Sequence, residues 1–208
     1  MNNRTRLYLI RHGETVDAAF GRYKGHRDVA LNDTGRHQME LIARWLREKD
    51  LAGVYASTLQ RTVAGAEMIA RGRNLRVKRC DELKEMNFGA WEGMTAGEIE
   101  ESYPGALDDW MKKTLDYRMP GGESMRDVRD RVLPVIHDIV RTHEGGDVAL
   151  VAHGGVNRVI LAAALGIDVT RFYAIGQDYG CVNIIDYHPG LTVVSLMNGG
   201  PVRENGAP

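Results

Sequence analysis

The chain has 208 residues, 43% hydrophobic and 26% charged, proportions of a globular domain with a full core that exclude a disordered or fibrous chain. Its 27 Lys+Arg against 28 Asp+Glu leave a formal net charge of -1, without the basic excess of a general nucleic-acid or anionic-membrane binder. Two cysteines, Cys80 and Cys181, exclude a disulfide scaffold and fit a reducing cytoplasm, while 24 glycines exceed the usual share of about 7% and point to tight turns or close approaches to a ligand.

Residues 7–10, four apolar positions closed abruptly by Arg11 and His12, read as a buried parallel strand, too short for a signal-peptide core. A basic loop with Gly21, Arg22, Lys24, Gly25, His26 and Arg27 follows. Helical periodicity begins after Thr34 and sets Met39, Ile42 and Leu46 on one stripe. Residues 54–56 form a second strand, and Ser57 or Thr58 is placed to cap the next helix, which turns Leu59, Val63 and Ala66 inward. Residues 76–80 read as an edge strand with its basic side chains in solvent. The run Arg71, Arg73, Arg76, Lys78, Arg79 is then a helix C-terminus passing into that strand, not a nucleic-acid patch.

From about 82 to 123 the strand–helix rhythm breaks into short helices, one opened by the capping box of Thr95 and Glu98. This stretch reads as a small capping insertion. Ser124 caps a long helix with Val128, Val132, Val135 and Ile139 on one face and Pro134 as an expected kink, ended by Gly145 and Gly146. Residues 148–152 are the strongest strand, followed by the turn His153-Gly154-Gly155 and a further helix. A hairpin of 181–187 and 191–196 comes last, with a frayed tail expected from about 198. Alternating strands and helices predict one α/β domain spanning 1–208, a three-layer α/β/α sandwich around a mostly parallel sheet.

Two strands end alike, in Arg11-His12-Gly13 and in His153-Gly154-Gly155. Open α/β sheets bind ligands beyond the carboxyl ends of their strands, so the two imidazoles are expected over one small ligand. The glycines let backbone amides approach an anion, and Arg11 adds a planar fork for phosphate oxygens. Arg61, in the first turn of a helix, adds a second beside the positive helix end. These groups together describe a pocket for a tetrahedral dianion. His26, His37, His137, His143 and His188 lack that repeated context and read as turn or satisfied histidines.

Arg11-His12-Gly13-Glu14-Thr15 resembles the signature of the histidine phosphatase (phosphoglycerate mutase-like) superfamily. Ser57-x-Leu59-x-Arg61, the run from Glu82 through Glu85, Phe88 and Trp91 to Gly93, and His153-Gly154-Gly155-Val156 are similar to its further motifs, in the same order. The resemblance implies that His12 is the nucleophile and forms a phosphohistidine. Arg11, Arg61 and His153 would hold the phosphoryl oxygens with help from Gly154, Thr15 and Gly25, and Glu85 would donate the proton. It implies no metal and no cofactor. The chemistry agrees: the imidazole must be neutral to attack, and the arginines both favour that state and neutralise charge on the equatorial oxygens. Asp17 and Ala18 replace the Trp-Asn common in relatives, removing a phosphate-contacting amide. Thr62 stands where alanine is common, a change without expected consequence, and His26 stands where mutases often carry tryptophan.

Among acids near the motifs, Glu14, Glu92 and Glu123 read as loop carboxylates, and Glu85 is preferred. The compact chain favours a phosphomonoester hydrolase over a phosphoglycerate mutase, which must keep water off its phosphoenzyme. A phospho-ligand binding module is the third class, and the intact residue set argues against it. Phe88, Trp91, Tyr103, Trp110 and Tyr117, with Met86, Met94, Met111 and Met119, form either the core of the insertion or an apolar wall for the leaving group. The overall layout resembles α-ribazole phosphatases and broad-specificity members, which ranks α-ribazole 5′-phosphate first among named substrates. The expected partner is a small phosphorylated metabolite, with no nucleic acid and no membrane; a homodimer stays open.

Overall fold

The computed structural model describes residues 4–16 and 18–200. Six strands form one sheet: β1 (Thr5–Arg11), β2 (Leu51–Ser57), β3 (Val77–Cys80), β4 (Asp147–Ala152), β5 (Val182–His188) and β6 (Leu191–Gly199). Their order is β3-β2-β4-β1-β5-β6. The first four run parallel, and β5 pairs antiparallel with both β1 and β6. Alternation along each central strand divides the core in two. Leu7, Leu9, Val148 and Leu150 face α5 (Met125–Thr142) and α6 (Gly154–Leu165). Tyr8, Ile10, Ala149 and Val151 face α1 (Asp33–Leu46) and α2 (Gln60–Ala70). The result is a sheet between two helical layers, the architecture the sequence pattern predicts. Each fully buried aliphatic side chain contributes roughly 1.5–3 kcal/mol, so stability concentrates in these strands.

The helices follow their sequence signals with three adjustments. Asn32 caps α1 by accepting from the Gly35 amide, and Ser124 opens α5 with a capping box closed by Asp127. Within α5 the buried stripe is Val128, Val132, Ile136 and Ile139, so Ile136 takes the inward place expected for Val135. Pro134 lies on the exposed side, and the helix continues past it. Neither Ser57 nor Thr58 caps α2. The Asp28 carboxylate reaches across to accept from the Gln60 amide at 2.8 Å. Arg73 joins the ends of two helices by donating to the carbonyls of Ile69 and Leu46.

Between β3 and α5 lie α3 (Ala96–Ser102), which has the expected Thr95–Glu98 capping box, and α4 (Ala106–Lys112). Trp91, Met119 and Trp110 from this segment are buried in the α5–α6 core, whereas Met111 is exposed. At the C-terminus residue 198, where a frayed tail is expected to begin, lies in a strand. β6 runs through Gly199, and Asn198 bonds Asn183 and Asp178. Residues 201–208 lie outside the described residues. Among those described, no helix is long and apolar enough to cross a membrane.

Candidate active site

The parallel register of neighbouring strands explains why two distant histidines meet. Arg11 pairs with Ala152 across β1 and β4, so the next residue on each strand, His12 and His153, emerges at the same edge. The His12 amide donates to the Ala152 carbonyl at 3.0 Å, and the two ring centroids are 5.2 Å apart. On the other side of β4, β2 ends in Ser57, whose hydroxyl lies 2.8 Å from His153 Nε2. Thr62 is not idle: its hydroxyl is 2.8 Å from that of Ser57, which also accepts from the Leu59 amide.

His12 is 5% exposed and His153 and Arg61 almost fully buried. Arg61 is held by the carbonyls of Arg27 and Gly25, both at 2.8 Å. Gly25 has φ of +42°, and a Cβ there would sit 2.3 Å from the Glu92 carboxylate, so glycine is required to present that carbonyl. Arg11 donates to the Gln177 carbonyl, and its guanidinium stacks 4.0 Å above the Tyr179 ring. Burial, reinforced by Arg61 and Arg11, pushes the His12 imidazole well below its ordinary pKa. Burial and Arg61 do the same to His153. Both rings are therefore neutral near pH 7. His12 Nδ1 lies 2.8 Å from the Gly13 carbonyl; a carbonyl only accepts, so Nδ1 carries the proton and Nε2 the free lone pair. Arg11 Nε, Arg61 Nε and His153 Nδ1 are buried without a hydrogen-bond partner among the described residues. Unpaired buried polar nitrogens are rare in proteins. His26 Nε2 and the indole nitrogens of Trp91 and Trp110 share that state among the described residues, but only the Arg11, Arg61 and His153 nitrogens belong to the histidine–arginine group.

The four candidate acids separate cleanly. Glu14 accepts from Asn32 at 2.7 Å, and Glu92 from the His26 amide at 2.7 Å. Glu123 is clamped by Arg131 at 2.8 Å and by the Asn87 amide. Burial alone would raise its pKa, but Arg131 and the amide bond hold it below the usual carboxylate range. Glu85 instead projects against the start of α6, accepting from the Gly155 amide at 3.0 Å and from Met86 at 2.9 Å. A Cβ on Gly155 would lie 2.5 Å from its carboxylate, so the second glycine of the turn admits Glu85.

A cavity of about 190 Å³ opens beside these groups. Arg11, Glu85, Gly154 and Gly155 form one end, and Tyr23, Phe88, Trp110 and Tyr173 supply its aromatic walls. The aromatic segment thus serves both expected ends, with Trp91 and Met119 in the core and Phe88 and Trp110 on the cavity. Thr15 and Gly25, expected at the phosphate, are not on the lining of this cavity, and neither are His12, Arg61 and His153: Thr15 accepts from Lys24 Nζ at 2.8 Å and the Gly25 carbonyl holds Arg61. Asp17 lies outside the described residues, and Ala18 begins a short 3-10 turn. Sequence reasoning missed Tyr179, Tyr23, Tyr173 and Arg158. Only Arg158 carried a local signal, since it stands one helical turn beyond Gly154 on the same face.

A model of the histidine phosphatase superfamily (branch 1) matches residues 7–199. The chain is 32% identical over 193 residues to phosphoserine phosphatase 1 of Hydrogenobacter thermophilus, covering 93% of this chain and 92% of that one. Over 178 residues it is 34% identical to a glucosyl-3-phosphoglycerate phosphatase of Mycolicibacterium vanbaalenii, covering 82% and 79%. In three dimensions it superimposes on the α-ribazole phosphatase of Shigella flexneri with a TM-score of 0.84 at 27% identity, covering 93% and 96%.

Proposed function

Since the chain belongs to the histidine phosphatase superfamily, we propose that it hydrolyses small phosphate monoesters through a phosphohistidine on His12. The observation that carries this reading is a buried, neutral His12 whose free Nε2 lies among unpaired donors of Arg11, Arg61 and His153. In the first step Nε2 attacks phosphorus and the ester P–O bond breaks. A proton passes from Glu85 to the leaving oxygen. In the second step a water attacks the phosphohistidine, Glu85 takes the proton from that water, and the N–P bond breaks to release phosphate and restore His12.

The electrostatic part falls to the two guanidiniums and the N-terminal end of α6, which face the charge spread over the equatorial oxygens. His153 Nε2 is engaged by the Ser57 hydroxyl, so its buried, unpaired Nδ1 is the ring nitrogen left for a phosphoryl oxygen. The aromatic-walled cavity takes the leaving group. Its walls suit the aromatic base of α-ribazole 5′-phosphate, which keeps that ester among the substrates to be assayed.

The test is a panel of phosphate monoesters assayed in excess EDTA: p-nitrophenyl phosphate, 3-phosphoglycerate, phosphoserine and α-ribazole 5′-phosphate. We expect phosphate release in chelator, inhibition by vanadate, and an acid-labile, alkali-stable adduct that His12→Ala cannot form. Loss of activity in EDTA with recovery on adding a divalent ion overturns the reading. So does isomerisation of 3-phosphoglycerate faster than phosphate release.

A further inference from the structure

Arg158 is the one cationic side chain on the cavity whose charge the phosphoryl chemistry leaves unused. It stands on the second turn of α6, and its Nε is fixed by the Ile175 carbonyl at 2.8 Å. Its Nη nitrogens bond no group among the described residues, and no carboxylate forms an ion pair with it there. The Glu85 carboxylate favours the Arg158 charge electrostatically, but its oxygens accept from two backbone amides and form no ion pair with it. Gly154 lies about one helical turn earlier, and an ideal Cβ on it would be 3.4 Å from both Arg158 Nη1 and the Arg11 guanidinium. Two like charges thus share one helix end. Burial, and then the proximity of Arg11, push the Arg158 guanidinium below its ordinary pKa. Holding a cation there is unfavourable unless an anion answers it. The phosphoryl group already has Arg11, Arg61 and His153, whereas Arg158 shares the cavity with the leaving-group walls Trp110 and Tyr173.

Resting on the hydrolase reading above, we propose that Arg158 is a specificity residue that selects leaving groups bearing a carboxylate. A guanidinium anchored through Nε offers its remaining donors as a planar fork, which matches a carboxylate in two parallel bonds. Such a fork beside the ring walls suits a leaving group that carries a carboxylate.

The matched pair 3-phosphoglycerate and glycerol 3-phosphate tests this, because the two differ only in carboxylate against hydroxymethyl. Phosphoserine and phosphoethanolamine make a second pair. For the wild-type protein kcat/KM should favour the carboxylated member by about 10–100-fold, the range of a charge-assisted bond, and mainly through KM. Arg158→Met should bring that ratio close to one, and Arg158→Lys should restore part of it. Thermal melts confirm that both variants fold. Equal loss on both members of a pair would assign Arg158 to the phosphoryl group and overturn the proposal. A wild-type ratio near one, or a preference for α-ribazole 5′-phosphate over every carboxylated ester, overturns it too. Failure of the hydrolase reading is seen separately, as no turnover of any ester including p-nitrophenyl phosphate. Calorimetric titration of His12→Ala with each matched pair then still reads the carboxylate preference, as a Kd ratio that Arg158→Met must abolish.

Discussion

At the scale of single residues, the site depends on which groups are left without a partner. Glu14, Glu92 and Glu123 bond Asn32, the His26 amide and Arg131, and none of the three lines the cavity, so each shapes a loop. Glu85 alone combines a place on the cavity with contact to the helix that starts beside His153. An alkoxide leaves poorly without a proton, and a positioned acid contributes about 10²–10⁴-fold. Glu85→Gln should therefore slow glycerol 3-phosphate by that factor, and p-nitrophenyl phosphate, whose phenolate needs little help, by less than about tenfold. Steady-state kcat/KM on the two esters checks this, and equal slowing on both would remove Glu85 from the acid role.

At the scale of elements, the loop that carries Glu85 is held by a helix on the far side of the chain. Arg131 of α5 donates to the carbonyls of Glu82, Lys84 and Glu85, and its fork grips both oxygens of Glu123. One side chain thereby ties the segment after β3 to the long helix, and Glu85 inherits its position from that tie. Arg131→Met leaves several part-buried acceptors unpaired, each worth roughly 1–3 kcal/mol when orphaned. We expect a lowered melting temperature together with a fall of about tenfold or more in kcat on glycerol 3-phosphate. Arg131→Lys should recover little of either, because an ammonium with three N–H donors cannot serve five acceptor atoms. A stability loss with unchanged kcat would show that the tie serves the fold and not Glu85.

At the scale of the whole molecule, the site and the sheet respond to acid in two separate windows. His12 and His153 are neutral in the fold because burial and the arginines depress them far below 6.5. On unfolding each regains an ordinary pKa and binds a proton below about 6.5, so their contribution to stability is complete above that pH and shrinks as pH falls. The slope reaches about 1.4 kcal/mol per pH unit for each histidine. Asp186 acts lower. Its burial would raise it, but bonds from Arg6, Ser195 and Arg4 at 2.7 Å keep it well below the ordinary carboxylate value of 3.8. Arg4 also bonds Asp147, so the network joins β1, β4, β5 and β6. Its stabilisation is present above about 3.8 and is lost as pH falls further. Melting temperatures taken from pH 8 to 3 should fall in these two stages. His12→Asn combined with His153→Asn should flatten the upper stage, and Asp186→Asn should lower stability at neutral pH while weakening the lower stage. An upper stage as steep in the double variant as in the wild type would refute the assignment.

Periodicity by itself determined the strands and the helical layers, and motif spacing with the family resemblance picked out the candidate anion-binding set. These are local properties: an apolar run between turn residues, an i, i+3, i+4 stripe, a capping box. His12, Arg61 and His153 were legible because each stands at a fixed offset from a strand or helix end, and such ends converge on one edge of a parallel sheet, whereas Glu85 was picked out by its resemblance to the family motif. Tertiary structure decided the rest. The chain order hides that Asp28 caps α2, that Ser57 spends its hydroxyl on His153, and that Arg131 holds the loop of Glu85. Each is a contact between residues 30 to 100 positions apart, roughly, and hydrogen-bond partners at such separations follow from packing and not from any neighbouring residue. Tyr179 over Arg11 and the unpaired fork of Arg158 belong to the same class. Burial decides their chemistry, because a charge or an imidazole changes its pKa only once the surrounding layers have removed it from water.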